Sequence, residues 1–431
     1  MSRLVPPPLS LYLHFPWCVR KCPYCDFNSY TLNGQLQEAA YLEALERDLE
    51  TQAPEVAGRE VISVFMGGGT PSLFPPSAID RVLAAARRHL TLASDVEVTM
   101  EANPGTIERG RFAEYRAAGV NRVSLGAQSF DTRTLQVLGR IHSPDETRRA
   151  AEELHAAGLT NFNLDLMYAL PGQDVAAAMA DVESALALKP THLSHYQLTL
   201  EPGTVFAAQP PADLPTDDTA AEILAVCGAR LAEAGFSQYE VSAYAQPGRQ
   251  CRHNLNYWTF GDYLGVGAGA HGKITRVGDG LNAGAHGDLD AGAHGDLRAG
   301  SHSDLSARAL SRDPGDAIIR TTQSRDPRRY MAAPTTARTP VPEAQRPFEF
   351  MLNALRLIDG FEIPTFEERT GLPWETVVPE VEQLLTRKLL EVQGPRLRTT
   401  IVGLRFLNNL LLSFLEETPQ TTGAFGLSTA I

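Results

Sequence analysis

Three cysteines within eight residues are the strongest chemical signal in the chain. Cys18, Cys22 and Cys25 have the spacing C-x₃-C-x₂-C, which allows three thiolates to converge from one tight loop. Structural zinc sites usually combine two C-x₂-C pairs, and this sequence has no second pair. Ferredoxin motifs supply four cysteines, whereas three thiolates on a four-iron cluster leave one iron without a protein ligand. The triplet therefore predicts a [4Fe–4S] cluster that binds a further ligand at its open iron.

Short β-like runs alternate with amphipathic stretches through the first 240 residues, and this order predicts the scaffold that positions the cysteines. The predicted strands are Ser10–His14, Val61–Met66, Val96–Ala102, Arg122–Ala127, Phe162–Leu166 and His195–Leu200. The predicted helices are Leu36–Leu49, Ala78–His89, Arg109–Ala118, Pro144–Ala157, Val175–Leu188 and Asp217–Ala234. Strands separated by helices of this length are typical of βαβ units around a parallel sheet. Six units are fewer than the eight of a closed barrel, so we predict an α/β fold with a partial (β/α)₆ barrel.

Polar residues stand at the ends of several predicted strands, on the side of the sheet where the cysteine loop lies. The run Gly-Gly-Gly-Thr-Pro at 67–71 follows the second strand, and successive glycines let the backbone approach a ligand closely. Glu101 and Gln128 end the third and fourth strands, and Asp165 lies on the fifth. One isolated acid is more often a structural group. Polar residues at successive strand ends favour a ligand pocket, because the ends of parallel strands share one edge.

The overall composition narrows the classes of protein to which the chain can belong. Its 431 residues are 43% hydrophobic and 21% charged, as in globular proteins. The net charge of −13 excludes a general nucleic-acid binder, which needs a basic face. The sequence has neither a signal peptide nor an apolar run of the roughly 18 residues that a membrane span requires. Five cysteines are few for a secreted disulfide scaffold, so we predict a cytoplasmic protein.

A segment of low complexity separates two predicted domains. We predict a barrel domain over 1–275, with its cluster loop at 18–25, and a C-terminal domain over 342–431. Between them, residues 276–341 are predicted to form an insertion and linker. In the C-terminal domain, amphipathic helices precede two short strands around a Gly-Pro turn. This order predicts a mostly helical, winged-helix-like domain.

The insertion contains three copies of an eight-residue repeat between Leu281 and Asp304. Its Gly, Ala and polar residues bury too little apolar surface to offset the entropy of ordering, which favours a disordered loop. The copies place His286, His294 and His302 at equivalent positions. Regularly spaced histidines can gather zinc or nickel, so a weak metal-binding tract is the alternative.

The cysteine triplet after a first strand resembles the radical S-adenosylmethionine superfamily. In that superfamily the open iron binds the amino and carboxylate groups of S-adenosylmethionine. One electron from the cluster then cleaves the sulfonium and gives a 5′-deoxyadenosyl radical. By position, the residues that match the family's S-adenosylmethionine contacts are Tyr12, Tyr24, Gly68, Gly69, Thr70, Glu101, Gln128, Arg140 and Asp165. The resemblance therefore implies that S-adenosylmethionine is the ligand of the predicted pocket.

Further motifs resemble the family of oxygen-independent coproporphyrinogen III oxidase and its close relative, the haem chaperone HemW. These motifs are LYLHFPWC, GGGTP, EANP, LGAQSFD, LGRIH, DLMYALPGQ and LTLEPGT. The oxidase typically has another cysteine two residues after its third cluster cysteine, where this chain has Phe27, as the chaperone does. The oxidase also carries a long segment before its cluster loop, whereas here only 17 residues precede Cys18. The resemblance favours a haem chaperone. The alternative is an oxidase of porphyrin biosynthesis that decarboxylates coproporphyrinogen III by radical oxidative chemistry.

The segment from His253 to Trp258 reads H-N-x-x-Y-W, which is similar to the chaperone's signature. The resemblance implies that His253 is a candidate ligand of haem iron and that Tyr257 and Trp258 offer flat surfaces to the porphyrin. On the residues alone, a Tyr-Trp core pair beside a histidine that holds a loop is the alternative. No catalytic residue is predicted. Whether the chain is an enzyme depends on whether it is a chaperone or an oxidase.

The chaperone resemblance also implies partners. They are haem itself, an acceptor protein such as a respiratory one, and an electron donor such as a flavodoxin or ferredoxin. No nucleic acid and no membrane span are expected.

The cluster assignment is tested by single substitutions. We expect Cys18→Ala, Cys22→Ala and Cys25→Ala each to abolish stable [4Fe–4S] binding, because a cluster held by three thiolates loses a third of its protein ligands. Iron and sulfide analysis of anaerobically reconstituted variants measures this. Substitution of Cys227 or Cys251 is the control and leaves the cluster intact. Full cluster occupancy in any of the three loop variants contradicts the assignment.

Overall fold

The structure is a computed structural model that describes residues 4–106, 111–278 and 315–415. In chain order, its strands are β1 (Leu9–Phe15), β2 (Trp17–Cys18), β3 (Tyr30–Thr31), β4 (Glu60–Gly68), β5 (Thr91–Ala102), β6 (Arg122–Gln128), β7 (Phe162–Tyr168), β8 (His192–Gln197), β9 (Ser237–Gln238), β10 (Ala243–Ala245), β11 (Asp262–Val266), β12 (His271–Arg276), β13 (Ala317–Gln323), β14 (Thr336–Pro340), β15 (Phe361–Glu362), β16 (Leu390–Gln393) and β17 (Arg396–Thr399).

The α-helices of the described residues alternate with these strands through the first two thirds of the chain. They are α1 (Glu38–Gln52), α2 (Pro76–His89), α3 (Arg111–Ala118), α4 (Thr132–Val137), α5 (Pro144–Ala156), α6 (Val175–Ala187), α7 (Val205–Ala208), α8 (Asp217–Glu233), α9 (Arg252–Trp258), α10 (Pro327–Ala332), α11 (Arg346–Ala354), α12 (Ile363–Thr370), α13 (Val378–Thr386), α14 (Ile401–Arg405) and α15 (Leu407–Leu411). Among the described residues, no helix is both long enough and apolar enough to cross a bilayer.

One large open sheet forms the scaffold, and it confirms the predicted partial barrel. Its strand order is β14-β13-β12-β11-β1-β4-β5-β6-β7-β8-β10-β9. The neighbouring strands β1, β4, β5, β6, β7 and β8 pair in parallel, as βαβ units require. Strand β11 also pairs in parallel with β1. Beyond them, the strands at both edges pair antiparallel.

The predicted sixth strand was misplaced. It was expected at His195–Leu200, but β8 runs from His192 to Gln197, and its register with β7 begins at the pair Asn163 and His192. The start of β8 is polar, which hides it from a search for apolar runs. The imidazole Nδ1 of His192 lies 2.7 Å from Oδ1 of Asn163, so this polar pair is satisfied inside the protein.

Part of the predicted insertion and linker belongs to the main sheet. Residues 315–341 were expected to form a linker, yet they contribute β13 and β14, which continue the sheet beyond β12. The buried side chain of Ile318, on β13, packs in the C-terminal apolar core and explains why this segment is ordered. The histidine repeat between Leu281 and Asp304 lies outside the described residues.

The two faces of the parallel strands differ in character, and this difference creates the site. On β1, Leu9, Leu11, Leu13 and Phe15 join the apolar core beneath the helices. Alternate residues point to the opposite face, because side chains alternate along a strand. We call this opposite face the inner face; its residues include Ser10, Tyr12, His14, Ser63, Phe65, Gly67, Glu97, Thr99, Glu101, Arg122, Ser124, Gly126, Asn163, Asp165, His192, Ser194 and Tyr196.

The C-terminal region combines helices with a small sheet. Helix α11 precedes β15, and α12 and α13 lie between β15 and β16. The three strands form a sheet in the order β15-β17-β16. Its core is aromatic: Phe350 meets Phe361 and Phe366 edge to face at ring-centroid distances of 4.9 and 5.3 Å. The Phe260 ring, which follows α9, also contacts Phe350 edge to face at 5.8 Å. The predicted mostly helical, winged-helix-like character is thereby confirmed, while the domain boundary at residue 342 stays a prediction.

A buried carboxylate joins helix α1 to the strands on one side of β1. Asp48, on α1, accepts hydrogen bonds from the Tyr330 hydroxyl at 2.7 Å and from the Gln323 amide at 3.0 Å. It also accepts the backbone N–H of Gly267 at 3.2 Å and the Gln52 amide at 2.8 Å. Burial raises the pKa of Asp48, and these donors act in the opposite direction. The helix, the loop after β11 and the added strand β13 are therefore joined through one side chain.

Removal of this carboxylate leaves several buried donors without an acceptor. We expect Asp48→Ala to lower the free energy of unfolding by about 3 kcal/mol, because each orphaned buried donor costs on the order of 1–3 kcal/mol. Urea unfolding measures the change. Glu50→Ala is the matched control, since Glu50 lies exposed on the same helix. Equal stability of the two variants would contradict the role given to Asp48.

Candidate functional site

The cysteine loop begins where β1 ends and is closed by a short pair of strands. Trp17 and Cys18 pair in parallel with Tyr30 and Thr31. The backbone N–H of Tyr30 donates to Pro16 at 2.7 Å, and that of Leu32 donates to Cys18 at 2.8 Å. The loop between the paired strands is therefore held at both of its ends.

Each of the three thiols lies beside a polar group. The Thr70 hydroxyl is 3.5 Å from Cys18 Sγ, and the Ser29 hydroxyl is 3.8 Å from Cys25 Sγ. A guanidinium nitrogen of Arg140 is 3.7 Å from Cys22 Sγ. Hydroxyl and guanidinium donors are the groups that stabilise sulfur in iron–sulfur clusters.

The three thiols lie close enough to affect one another electrostatically. Burial raises the pKa of Cys18 and of Cys25, and the nearby Cys22 acts in the same direction on both. Within the described ranges, no three His, Cys, Asp or Glu side chains converge on a site for a single metal ion. A cubane places its thiolates on different irons and so needs a wider spacing than one ion does. The donor set of the loop fits a cluster.

The glycine run requires residues without a side chain. Gly68 has φ +104°, and a Cβ there would lie 2.2 Å from the ring of His14. At Gly69 a Cβ would lie 2.6 Å from the carbonyl oxygens of Phe15 and Trp17, because its N–H donates to Phe15 at 2.7 Å. The run therefore packs directly against the start of the cluster loop.

Two half-buried carboxyl groups lie near each other on the inner face. Glu101 accepts the Gly68 N–H at 3.2 Å, and burial together with the neighbouring Asp165 raises its pKa to about 8. Burial also raises the pKa of Asp165, which accepts from Asn163 at 2.7 Å and from Ser124 at 3.2 Å. The pKa of Tyr12 lies well above its ordinary value because of burial and the nearby Glu101.

Gln128 and Arg140 connect the pocket to the cysteine loop. Arg140 donates to the Gly126 carbonyl at 2.8 Å, and its Nε is buried without a partner. Gln128 adopts φ +66° and accepts a short hydrogen bond from the Tyr196 hydroxyl. Burial raises the pKa of Tyr24, whose charge neighbours are Arg140 and the cysteines. Of the residues predicted to contact S-adenosylmethionine, Thr70, Tyr24 and Arg140 lie at the cysteine loop. Tyr12, Glu101 and Asp165 interact with one another deeper on the inner face.

The three haem candidates do not share one surface. The His253 ring stacks on Phe65 at 4.6 Å and lies 6.2 Å from the Tyr12 ring, on the inner face. Trp258 is only 5% exposed, and the guanidinium of Arg356 covers its ring at 4.4 Å. Tyr257 packs on Tyr263 at 5.3 Å. The structure thus places His253 beside the predicted pocket, whereas Tyr257 and Trp258 pack in the core around α9.

Comparison with known proteins shows the family to which the chain belongs. Residues 12–184 match the family described as the Radical SAM superfamily, and residues 341–406 match the HemN C-terminal domain. A protein named heme chaperone HemW from Escherichia coli (strain K12) is 43% identical over 412 residues, covering 95% of this chain and 99% of the relative. The chain belongs to the HemW family.

Other relatives extend the HemW likeness beyond one species. A heme chaperone HemW from Haemophilus influenzae is 39% identical, covering 95% of this chain and 99% of the relative. A protein from Bos taurus named radical S-adenosyl methionine domain-containing protein 1, mitochondrial, is 36% identical, covering 95% of this chain and 87% of the relative. The solved structure of coproporphyrinogen III oxidase (HemN) from Escherichia coli has a TM-score of 0.72 and 22% identity, covering 96% of this chain and 91% of that chain. That likeness shows a shared fold.

Sequence reasoning missed two residues that this HemW-family site uses. The His14 Nδ1 lies 2.9 Å from the Tyr12 hydroxyl, and its Nε2 lies 2.9 Å from the Asn28 carbonyl in the cysteine loop. Tyr196 contacts Gln128 from β8 and lies within the electrostatic reach of Tyr24, Asp165 and Arg140. His14 had a signal in the sequence, since it lies in the quoted motif LYLHFPWC. Tyr196 lay within the predicted sixth strand but had no motif of its own.

The close packing at Gly68 gives a testable consequence. We expect Gly68→Ala to weaken S-adenosylmethionine binding at least tenfold, because the added methyl group collides with His14 and the backbone angle is unfavourable. Equilibrium binding to the reconstituted protein measures this. Gly315→Ala is the control, since a Cβ at Gly315 meets nothing within 4 Å. Wild-type affinity in Gly68→Ala contradicts the packing argument.

The raised pKa of Glu101 predicts how stability depends on pH. Its pKa is about 8 in the folded protein and near 4.5 when unfolded, so the folded state holds a proton that the unfolded state releases. The free energy of unfolding of the protein without S-adenosylmethionine is therefore expected to fall as the pH rises from about 5 to about 8. Glu101→Gln removes this titration and makes the profile less steep over that range. Urea unfolding at several pH values measures it, and identical profiles would exclude Glu101 as the titrating group.

Proposed function

We propose that the chain is a haem chaperone that binds haem, a [4Fe–4S] cluster and S-adenosylmethionine, and that transfers haem to an acceptor protein. The observation that carries the proposal is the 43% identity to a protein named heme chaperone HemW, over nearly the whole length of both chains. The matched relatives share both the barrel and the C-terminal region. The assembled cysteine loop and carboxylate pocket support the cofactor part of the proposal.

The chain's own residues have distinct roles in holding the cofactors. Cys18, Cys22 and Cys25 hold the cluster, and Arg140 places a positive charge beside it. When bound, the cluster and S-adenosylmethionine supply one-electron chemistry. Gly69 and Thr70 donate their backbone N–H groups to Phe15 and Trp17 at the start of the cluster loop, and the Thr70 hydroxyl approaches Cys18. Gly68 donates to Glu101.

The polar side chains of the pocket suit the remaining groups of the same ligand. Glu101 and Asp165 are carboxylates, which accept hydrogen bonds from ribose hydroxyls and an ammonium group. Gln128 supplies an amide, and Tyr12 and Tyr24 supply aromatic rings with hydroxyls.

His253 is the residue we propose as the haem ligand. Its Nδ1 is buried without a hydrogen-bond partner, although the side chain as a whole is half-buried. Burial lowers its pKa to about 4, so the imidazole is neutral at physiological pH. A neutral imidazole is the form that binds iron. Tyr257 and Trp258 support α9, because their rings pack on Tyr263 and under Arg356.

The partners and the compartment follow from this role. The acceptor is a haem-dependent protein, such as a respiratory one, and a flavodoxin or ferredoxin supplies the electron. We place the protein in the cytoplasm.

The proposal is tested by separating haem binding from porphyrinogen chemistry. We expect about one haem per chain by absorbance titration, and neither carbon dioxide nor protoporphyrinogen from coproporphyrinogen III with reductant and S-adenosylmethionine present. Catalytic decarboxylation would establish the oxidase alternative instead.

The haem ligand is tested in the same titration. We expect His253→Ala to weaken haem binding at least tenfold while iron and sulfide contents stay unchanged. His195→Ala is the matched control: its Nδ1 is also buried without a partner and its pKa is also about 4, but its ring packs on Tyr168, away from the inner face. Equal haem affinity in His253→Ala and wild type removes His253 from the site.

A further inference from the structure

A buried cation on the inner face lacks hydrogen-bond partners. Arg122, the first residue of β6, is 2% exposed, yet none of the described groups accepts a hydrogen bond from its guanidinium. Its Nε is itself buried without a partner. Buried guanidinium groups normally pair and use their N–H groups, because desolvation without hydrogen bonds is costly.

The nearest carboxylate balances the charge of Arg122 without satisfying its donors. Glu97 Oε2 lies 4.0 Å from Nε of Arg122, beyond hydrogen-bond distance. The other oxygen of Glu97 accepts the backbone N–H groups of Arg252 at 3.0 Å and His253 at 3.4 Å. It also lies 3.5 Å from Cys251 Sγ. Glu97 is thus engaged at the start of α9, and the guanidinium donors are left for another acceptor.

Two more polar atoms without partners lie in the same layer of the sheet. Tyr12, Phe65, Thr99 and Arg122 are paired in register across β1, β4, β5 and β6. The hydroxyl of Thr99 is buried and has no partner. The Nδ1 of His253, whose ring stacks on Phe65, has none either. A guanidinium, a hydroxyl and an imidazole nitrogen therefore all lack partners within one layer of the inner face.

This layer lies deeper in the barrel than the cluster loop, and Tyr12 is the one predicted S-adenosylmethionine contact that belongs to it. Arg122 begins β6 and Gln128 ends it, and six residues of strand span about 20 Å. The group that approaches Cys22 is Arg140, which is bonded to Gly126 near the far end of β6. A ligand carboxylate held at the cluster would therefore meet Arg140 rather than Arg122.

We propose that Arg122, assisted by the Thr99 hydroxyl, binds a carboxylate on the inner face, and that this carboxylate is a propionate of haem. The assignment rests on the proposed haem binding. A guanidinium matches a carboxylate with two parallel hydrogen bonds, which is the acceptor geometry that Arg122 lacks.

The spacing of the layer suits the shape of haem. Phe65, on which His253 stacks, is separated from Arg122 by two strand spacings, about 10 Å. Haem iron lies at the centre of the macrocycle, whereas the propionates project from its edge. An iron ligand and a propionate partner are therefore expected to be separated in this way. The site would be a positioning contact that fixes the orientation of haem against His253.

The experiment compares haem with its dimethyl ester, in which both propionates are uncharged esters. We expect wild-type protein to bind haem at least tenfold more tightly than haem dimethyl ester in absorbance titrations. In Arg122→Gln, we expect haem affinity to fall at least tenfold and dimethyl ester affinity to stay unchanged, so that the preference disappears. Iron and sulfide contents stay at the wild-type level.

Two further variants separate recognition from folding. Arg122→Lys keeps the charge but not the planar fork, and we expect it to restore part of the preference. Arg346→Gln is the matched control, because Arg346 is also buried but donates to Thr370 in the C-terminal region; the preference for haem is retained. The wild-type comparison alone tests the assignment should Arg122→Gln fail to fold.

The outcomes distinguish this assignment from the proposed function. Equal wild-type affinity for haem and its dimethyl ester overturns the propionate contact and leaves haem binding intact. An equal loss of both affinities in Arg122→Gln overturns it as well, since Arg122 is then structural and its donors are satisfied by water only. Absence of haem binding in the wild type overturns the proposed function and the propionate contact with it.

Discussion

The hydrogen bonds of Asn28 anchor the middle of the cysteine loop to three other parts of the chain. Its side-chain amide donates to the carbonyl of Ala268 at 2.9 Å and to that of Arg325 at 3.0 Å, while its own carbonyl lies 2.9 Å from His14 Nε2. The packing is tight, since a Cβ at Gly269 would lie 2.1 Å from the Asn28 amide nitrogen. The loop is thus joined to β1, to the turn after β11 and to the segment after β13. These contacts hold the segment that carries the thiols against the end of β1.

A second constraint comes from the polarity of the inner face. Burying carboxylates is unfavourable unless they are hydrogen-bonded or protonated, and Glu101 and Asp165 both have raised pKa values. Asp165 has the Asn163 and Ser124 donors, whereas Glu101 has a single backbone donor at Gly68. The protein retains these groups where an apolar core would be more stable. Such a cost is typical of a surface that is completed by a polar ligand.

Helix α9 connects the inner face with the C-terminal region. At its start, Glu97 accepts the backbone N–H groups of Arg252 and His253. In its middle, the Asn256 amide donates to Ser10 at 2.9 Å on the inner face. At its end, Trp258 packs under Arg356, which follows α11. A ligand that contacts His253 would therefore contact the first turn of α9. The other end of this helix packs against the C-terminal region, so α9 connects the inner face with that region.

The sequence by itself determined the features that depend on short covalent spacing. The cysteine triplet, the glycine run at 67–69 and the alternation of strands and helices predicted the cluster loop, the pocket and the partial barrel. Tertiary structure alone decided which distant residues meet. The polar start of β8 is stabilised by the contact between His192 and Asn163. The guanidinium of Arg356 covers the ring of Trp258, and residues 315–341 contribute strands to the main sheet. The unpaired state of Arg122 was equally invisible, because it depends on the register of β4, β5 and β6. Local patterns report which face a residue prefers, whereas satisfaction of a buried polar group depends on partners that lie far away in the chain.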